Sequence, residues 1–308
     1  MAEEREVVII GAGPAGLSAA LYTGRALLST TVLEEKVIGG QIVEAYEVDN
    51  YPGFPDGVSG PDLVQRMWDH AHKFQVELAL TGARDIRSDG NLKRIQTDDG
   101  EYAAPIVIVA AGASHRKLEV PGEEKLAGKG VSYCATCDGA FFRDEEVVVV
   151  GGGDSAMTES VFLTRFASEV TLIHRRQGFR ARPVHVEEAR NHQEIEFVLD
   201  TIVTEILGEE KVEGVTAKNV ETGETRRVDC AAVFVLIGHE PNTAFLANVL
   251  PDHAGGLIPV DYNMETDVPG LYAVGDVRKG SYRQLGTAVG EGVTAAMHAE
   301  KRIKQLAG

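Results

Sequence analysis

Two cysteines three positions apart, Cys134 and Cys137 in the block Cys-Ala-Thr-Cys-Asp-Gly, are the residues best placed by type and spacing to carry a reaction. Two intervening residues let the sulfurs meet across one helical turn, as a disulfide that is readily reduced and reformed. A structural zinc site is a competing reading, but it needs about two further ligands at matched spacing, and the chain has no second Cys-x-x-Cys. A pair of ordinary buried thiols is another. The redox disulfide is the reading favoured, because sites for electron-carrying nucleotides stand elsewhere in the chain. Asp138 follows directly. A carboxyl beside a thiolate tends to stay protonated and can give its proton to a leaving thiol; the alternative reading of Asp138 is a helix cap.

Such a pair needs a supply of electrons, and two similar segments point to one. Residues 4–20 read EREVVIIGAGPAGLSAA and residues 145–160 read EEVVVVGGGDSAMTES. Each has a β-branched run, a glycine turn and then small residues, the opening of a dinucleotide-binding strand–turn–helix unit. Gly11 and Gly151 permit the sharp turn. Gly13 and Gly153 let the backbone approach a pyrophosphate, and Gly16 and Ala156 let the helix lie close on the strand. Pro14 and Ala15 in the first copy, and Asp154 and Ser155 in the second, open the helix whose N-terminus faces the phosphates.

The position 23 residues beyond the first glycine separates the two copies. In the first it is Glu34, followed by Glu35, at the end of TTVLEE. A carboxylate there accepts both ribose hydroxyls, as FAD or NAD requires. In the second it is His174, opening HRRQGFR, with Arg175, Arg176 and Arg180 beside it. Guanidinium forks match a phosphate that a carboxylate would repel, so the second unit is expected to take NADPH. A solvated basic loop is the alternative, set against a strongly acidic chain.

The rest of the chain supplies elements to hold these residues. Residues 104–113 and 230–243 read as buried strands ending in glycine, placing Ala111 and Gly112 in the first unit and Ile237 and Gly238 in the second. Charged, glycine-punctuated stretches before each read as strand meanders. Residues 270–277 deliver Gly275 and Asp276, and a helical pattern runs over 287–306. The expected fold is α/β, with two Rossmann-like (three-layer) dinucleotide-binding domains.

Composition narrows the classes. At 308 residues two domains are expected, and 44% apolar with 25% charged residues is ordinary for a soluble globular chain. A formal charge of −17 argues against nucleic-acid binding, which needs a positive field. Apolar runs such as 106–111, 147–150 and 231–237 are strand-length, far short of a membrane span. Three cysteines are not a secreted disulfide framework, and the N-terminus has no basic and apolar leader. A cytoplasmic location is the expectation.

The motifs GAGPAGLSAALYTGRA, GGQI, VDNYPGFP, CATCDG, HRRQGFR, IGHEPNT and GDV…YRQ together resemble those of the low-molecular-weight thioredoxin reductases of bacteria and archaea, a branch of the pyridine nucleotide-disulfide oxidoreductases. The likeness runs essentially end to end. It implies an FAD domain from residues 1–113 and 245–308 and an inserted NADPH domain over 117–243, in a homodimer whose domains swivel. It implies that Cys137 faces the flavin and carries a charge-transfer thiolate, while Cys134 attacks the disulfide of thioredoxin. Asp276 would accept from the ribityl chain of FAD, an ordinary turn aspartate being the alternative. Gly40, Gln41, Asn50, Arg283 and Gln284 would lie around the flavin. The chain departs from the usual pattern in two stretches: at Ala111, where the family often has threonine, and at the Thr158 and Ser160 pair in the second helix.

Other residues invite less. Cys230 opens a buried strand and reads as a small hydrophobe. Trp68, His70 and His72 sit on a helix-like stretch, the histidines spaced wrongly for one face. His115 and His239 lie near the crossings between domains. Two rival functions remain: the same enzyme with ferredoxin as donor or another protein as acceptor, and a flavin-binding redox sensor, which would not need the arginines of the second unit.

Overall fold

The structure, a computed structural model, describes residues 2–45 and 47–307. Its centre is set by β-branched runs bounded by glycine. Val7–Ile10, Thr30–Leu33 and Ile106–Val109 are buried at every position, the pattern of parallel strands covered on both faces. They join Leu271–Ala273 and Glu77–Ala79 in a five-stranded parallel sheet ordered 271–273, 106–109, 7–10, 30–33, 77–79.

The second half repeats this plan. Ala232–Leu236, Glu146–Gly151, Glu169–Ile173 and Ile195–Val198 pair in that order, all parallel. The fifth strand has a different origin in each copy: Leu271–Ala273 comes from the C-terminal part of the chain, and Val131–Ser132 precedes its own sheet.

Each sheet is the middle of three layers, and strand alternation decides what packs on each face. Val7 and Ile9 point into a cluster with Leu17, Val64, Ala71, Ala295 and Ala299 from the helices Pro14–Arg25, Gly60–His72 and Leu285–Ala307. Val8 and Ile10 point the other way, onto Ile86, Ile95 and Ala104 of the meander Ala83–Asp89, Leu92–Thr97, Glu101–Ala104. In the second copy Val147 and Val149 meet Ala156, Met157 and Leu163, whereas Val148 and Val150 meet Val203, Ile206, Val215 and Ala217 of the antiparallel strands Thr201–Leu207 and Gly214–Asn219. The expected fold class, two Rossmann-like three-layer units, is the observed one.

The chain divides into one unit of Met1–Ser114 with Glu240–Gly308 and a second of His115–His239. It passes between them along two short paired strands, Ala113–His115 and His239–Pro241. Asn242 anchors the return to the first unit, donating its amide to Gly112 O at 3.0 Å and its side chain to Ala111 O at 2.9 Å. The helix Pro183–Arg190 has no counterpart in the sequence reading; Pro183 opens it, where a missing N–H costs nothing.

The long helix Leu285–Ala307 lies on Pro14–Arg25 at its glycine. A Cβ on Gly292 would stand 2.1 Å from Ala15 O, so backbone meets backbone. Gly292→Val is expected to cost about 1–3 kcal/mol by overpacking, read as a lowered denaturation midpoint; a variant as stable as the parent would contradict the contact.

Candidate active site

Cys134 and Cys137 form a disulfide with Cα atoms 5.3 Å apart. Cys134 precedes the short helix Ala135–Asp138 in extended conformation, and Cys137 lies one turn on. The amides of Cys137 and Asp138 donate to Cys134 O at 3.3 and 3.1 Å, closing the turn. The Thr136 hydroxyl lies 3.4 Å from Cys134 Sγ. Ser132 Oγ accepts the Cys134 amide at 3.1 Å, and Glu159 accepts that of Ala135 at 2.8 Å. Both cysteines are half-buried and Thr136 is exposed. Asp138 stands before the 3₁₀ turn Gly139–Phe142, but its side chain does not cap that turn. The third cysteine, Cys230, is buried, and burial pushes its thiol up to about 12. Among the described residues no His/Cys/Asp/Glu cluster is suited to a metal.

In the first unit the glycine turn is built by crowding on one side and openness on the other. Gly11 has φ +104°, and a Cβ there would lie 2.4 Å from Ala110 O; one on Gly16 would lie 1.9 Å from Gly11 O. Only glycine meets both demands. A Cβ on Gly13, by contrast, would have nothing within 4 Å, so the backbone before Pro14 faces free space at Gly13, while Ala15 is already buried in the core. Glu34 ends the next strand. Its Oε2 accepts the Ala12 amide at 2.8 Å and its Oε1 that of Lys36 at 2.9 Å, which fixes the carboxylate beside the turn. Glu35 is exposed and pairs with Arg84 at 2.8 Å, turned to a surface ion network with Asp98.

Further residues gather around the same unit. Gly40 opens the 3₁₀ turn Gly40–Glu44, where a Cβ would stand 3.6 Å from Gly13 Cα. Gln41 donates its side-chain amide to Ala113 O. Asn50 lines an open cavity of about 290 Å³ with Tyr51, Phe54 and the prolines beside them. Gly112 takes φ +66° at the end of its strand, next to Ala111. At the end of Leu271–Ala273, Gly275 takes φ +73°. Its amide donates to Glu291 Oε2 at 2.7 Å, and Glu291 Oε1 holds Arg278 at 2.5 Å. Burial pushes the Asp276 carboxyl up; Arg283 opposes this and Glu291 adds to it. Arg283 and Gln284 are half-buried, Arg283 in the left-handed region at φ +53°. Glu291 is a residue the sequence reading passed over. Its position in the middle of a helix, 16 residues from the glycine it serves, leaves no local signal.

The second unit repeats the turn with different chemistry. Cβ atoms on Gly151 would crowd Leu236 O at 2.5 Å and Ala156 at 2.7 Å, while Gly153 again faces open space. Ser155 is exposed on the helix Asp154–Leu163, and Ile237 and Gly238 directly follow the neighbouring strand Ala232–Leu236, Gly238 with φ +114°. His174 occupies the place of Glu34 but turns inward. Its ring lies against Gly152, where a Cβ would meet it at 2.1 Å, stacks on Phe179 at 5.1 Å and meets Gly178 O at 3.2 Å. Burial lowers its pKa, so the ring is a neutral brace for the loop. Arg175, Arg176 and Arg180 are exposed, and among the described residues none of the three is in an ion pair. The Arg180 amide ties the loop to Gly152 O at 2.9 Å. Asp154 accepts the Arg182 amide at 2.7 Å and its Nε at 3.0 Å; Arg182 too was not singled out in the sequence.

Compared with known proteins, residues 5–292 match the family described as pyridine nucleotide-disulphide oxidoreductase. The thioredoxin reductase of Mycolicibacterium smegmatis is 44% identical over 97% of this chain and 97% of that protein. That of Bacillus subtilis is 44% identical over 99% of this chain and 98% of its own length. Among solved structures, thioredoxin reductase from Streptococcus pyogenes aligns with a TM-score of 0.94 at 40% identity, covering 99% of this chain and 100% of that one.

The inward His174 carries a pH signature. Its folded pKa lies below the unfolded value of about 6.5, so below that pH the unfolded chain binds a proton that the folded one refuses, and stability falls. The unfolding midpoint of the parent should drop as pH is lowered from about 6.5, and less steeply in His174→Gln; equal slopes would contradict the buried neutral ring.

Proposed function

We propose that this chain, which belongs to the pyridine nucleotide-disulphide oxidoreductase family, is a thioredoxin-disulfide reductase that draws electrons from NADPH, holds FAD and delivers the electrons through Cys134 and Cys137. The observation that carries this reading is a closed, half-exposed Cys134–Cys137 disulfide in a chain with two glycine cradles of opposite charge character. The naming of close, full-length relatives as thioredoxin reductases supports it. When bound, FAD supplies a two-electron relay between the nicotinamide and the disulfide.

The first unit fits FAD. The space beside Gly13 admits a pyrophosphate to the helix N-terminus, Glu34 would serve a ribose as acceptor, and the half-buried Asp276, next to Gly275 at the end of its strand, would accept from the ribityl chain. Gln41, Asn50, Arg283 and Gln284 would border the ring. The second unit fits NADPH: the free face of Gly153 takes the pyrophosphate, and the exposed guanidinium groups of Arg175, Arg176 and Arg180 take the 2′-phosphate.

Thiol–disulfide exchange then needs only this chain's own residues. The Cys134 thiolate attacks one sulfur of thioredoxin, and the other sulfur leaves with the bonding electrons and takes a proton, which Asp138 supplies. Cys137 next attacks Cys134 Sγ, releasing reduced thioredoxin and restoring the Cys134–Cys137 bond. The same reading makes the working protein a cytoplasmic homodimer. No helix among the described residues is long and apolar enough to cross a membrane.

Anaerobic NADPH should bleach the flavin spectrum of the holoenzyme, and oxidised thioredoxin should restore it. A flavin that stays oxidised would refute NADPH as donor. Replacing Arg175 and Arg180 with alanine should raise KM for NADPH about 10- to 100-fold, at about 1.5–3 kcal/mol for a hydrogen bond to a charged group, and leave KM for NADH little changed. Asp138→Asn should slow thioredoxin turnover; an undiminished rate would remove its role as acid.

A further inference from the structure

The long helix Leu285–Ala307 ends beside a cavity that the redox site does not use. It has a volume of about 170 Å³, lies within the first unit, and has Ser88, Asn91, Lys93, Pro105, Pro269 and Arg302 in its wall. Pro105 and Pro269 precede the parallel strands Ile106–Val109 and Leu271–Ala273, whereas the glycine turn at Gly11 follows Val7–Ile10 in the same sheet. The cavity therefore stands at the amino ends of the strands, a strand length of roughly 13 Å from the turn proposed for the cofactor.

Its charge is one-sided. Lys93 is only 4% exposed, and its ammonium donates to Pro105 O at 3.2 Å and to Pro269 O. Gly270 leaves room for it, since a Cβ there would stand 2.7 Å from Lys93 Nζ. The two carbonyls hold the ammonium but bring no negative charge, and a buried charge calls for a counter-charge. Among the described residues Lys93 is in no ion pair. Glu265 acts on it only from a distance, with its oxygens already engaged. Oε1 accepts the Gly270 amide at 2.7 Å and holds Arg302 at 3.1 Å, and Oε2 lies 3.7 Å from His298 Nδ1. Burial pushes the Lys93 ammonium down, Arg302 pushes it further, and Glu265 opposes both. Two cations thus share one carboxylate, and no carboxylate is in the cavity wall.

We propose that this cavity is an anion site, which takes a small tetrahedral oxyanion of the phosphate class between Lys93 and Arg302. Ammonium and guanidinium donors give such an ion charge-assisted hydrogen bonds, and Ser88 and Asn91 supply a hydroxyl and an amide at the same wall. The inference stands apart from the redox reading, and its test uses neither NADPH nor thioredoxin.

The test titrates inorganic phosphate into FAD-loaded protein carrying Arg175→Ala and Arg180→Ala, which removes the cations of the second unit, and reads binding by phosphorus NMR line broadening. Saturable binding with a Kd of about 1 mM or tighter is expected. Adding Arg302→Gln should weaken it about tenfold or more, the loss of a charged donor. Lys93→Met should abolish it; if that variant does not fold, Arg302→Gln decides alone. Glycerol phosphate, titrated in the same way, should bind more weakly if the site holds the free ion and as tightly or more so if it holds a phosphate ester. Binding that does not saturate by about 10 mM would mean an adventitious ion only and would overturn the inference. So would an Arg302→Gln variant that binds phosphate as tightly as the protein without it.

Discussion

The closeness of backbone to backbone at the two glycine turns is the constraint on which the rest of the structure depends. A Cβ on Gly16 would stand 1.9 Å from Gly11 O, and one on Gly151 would stand 2.5 Å from Leu236 O. With side chains excluded there, each helix starts hard against its strand, and the residue between, Gly13 or Gly153, is left facing open space. The order of strands follows from the same packing. The strand before each turn lies at the middle of its sheet, flanked by Thr30–Leu33 and Ile106–Val109 in one unit and by Glu169–Ile173 and Ala232–Leu236 in the other. A ligand brought to either turn therefore meets the carboxyl ends of several strands at once.

On these two similar frames the charge is arranged oppositely. In the first unit, the carboxylate of Glu34 is clamped by the amides of Ala12 and Lys36 and cannot swing away from the turn. In the second, the corresponding ring of His174 is folded under Gly152 and neutral, which leaves the guanidinium groups beyond it as the local charge. A chain of net charge −17 thus keeps one small basic loop, held in shape by backbone bonds from Arg180 and Ala181 to Gly152 O. The inward histidine and the outward arginines are complementary. The ring supports the loop so that the long cations need not.

Carboxylates recur as fasteners of the functional loops. Glu34 holds the first turn, Glu291 joins Gly275 to Arg278, Asp154 takes the amide and guanidinium of Arg182, and Glu159 takes the amide of Ala135. In each case a charged acceptor takes a backbone donor that has no partner in regular secondary structure, an interaction stronger than its neutral counterpart. Such bonds hold glycine-rich segments, whose backbones have the most freedom to lose, in one conformation.

The sequence by itself determined what depends on local pattern. Runs such as VVII and VVVV, β-branched, short and followed by glycine, read as strands buried on both faces, and they are. The glycine spacing after them fixes a turn and a close helix, and Cys-x-x-Cys fixes two sulfurs within bonding reach. The doubled motif therefore made the doubled unit legible. Tertiary structure alone decided which distant side chains serve those patterns. That Glu159 and Glu291 serve the Cys turn and Gly275, that His174 turns inward and that Glu35 is drawn to Arg84 all depend on which helix and strand faces meet. A mid-helix glutamate 24 residues from the amide it accepts has no distinguishing neighbours in sequence, because its role is set by packing of elements and not by the spacing along any one of them.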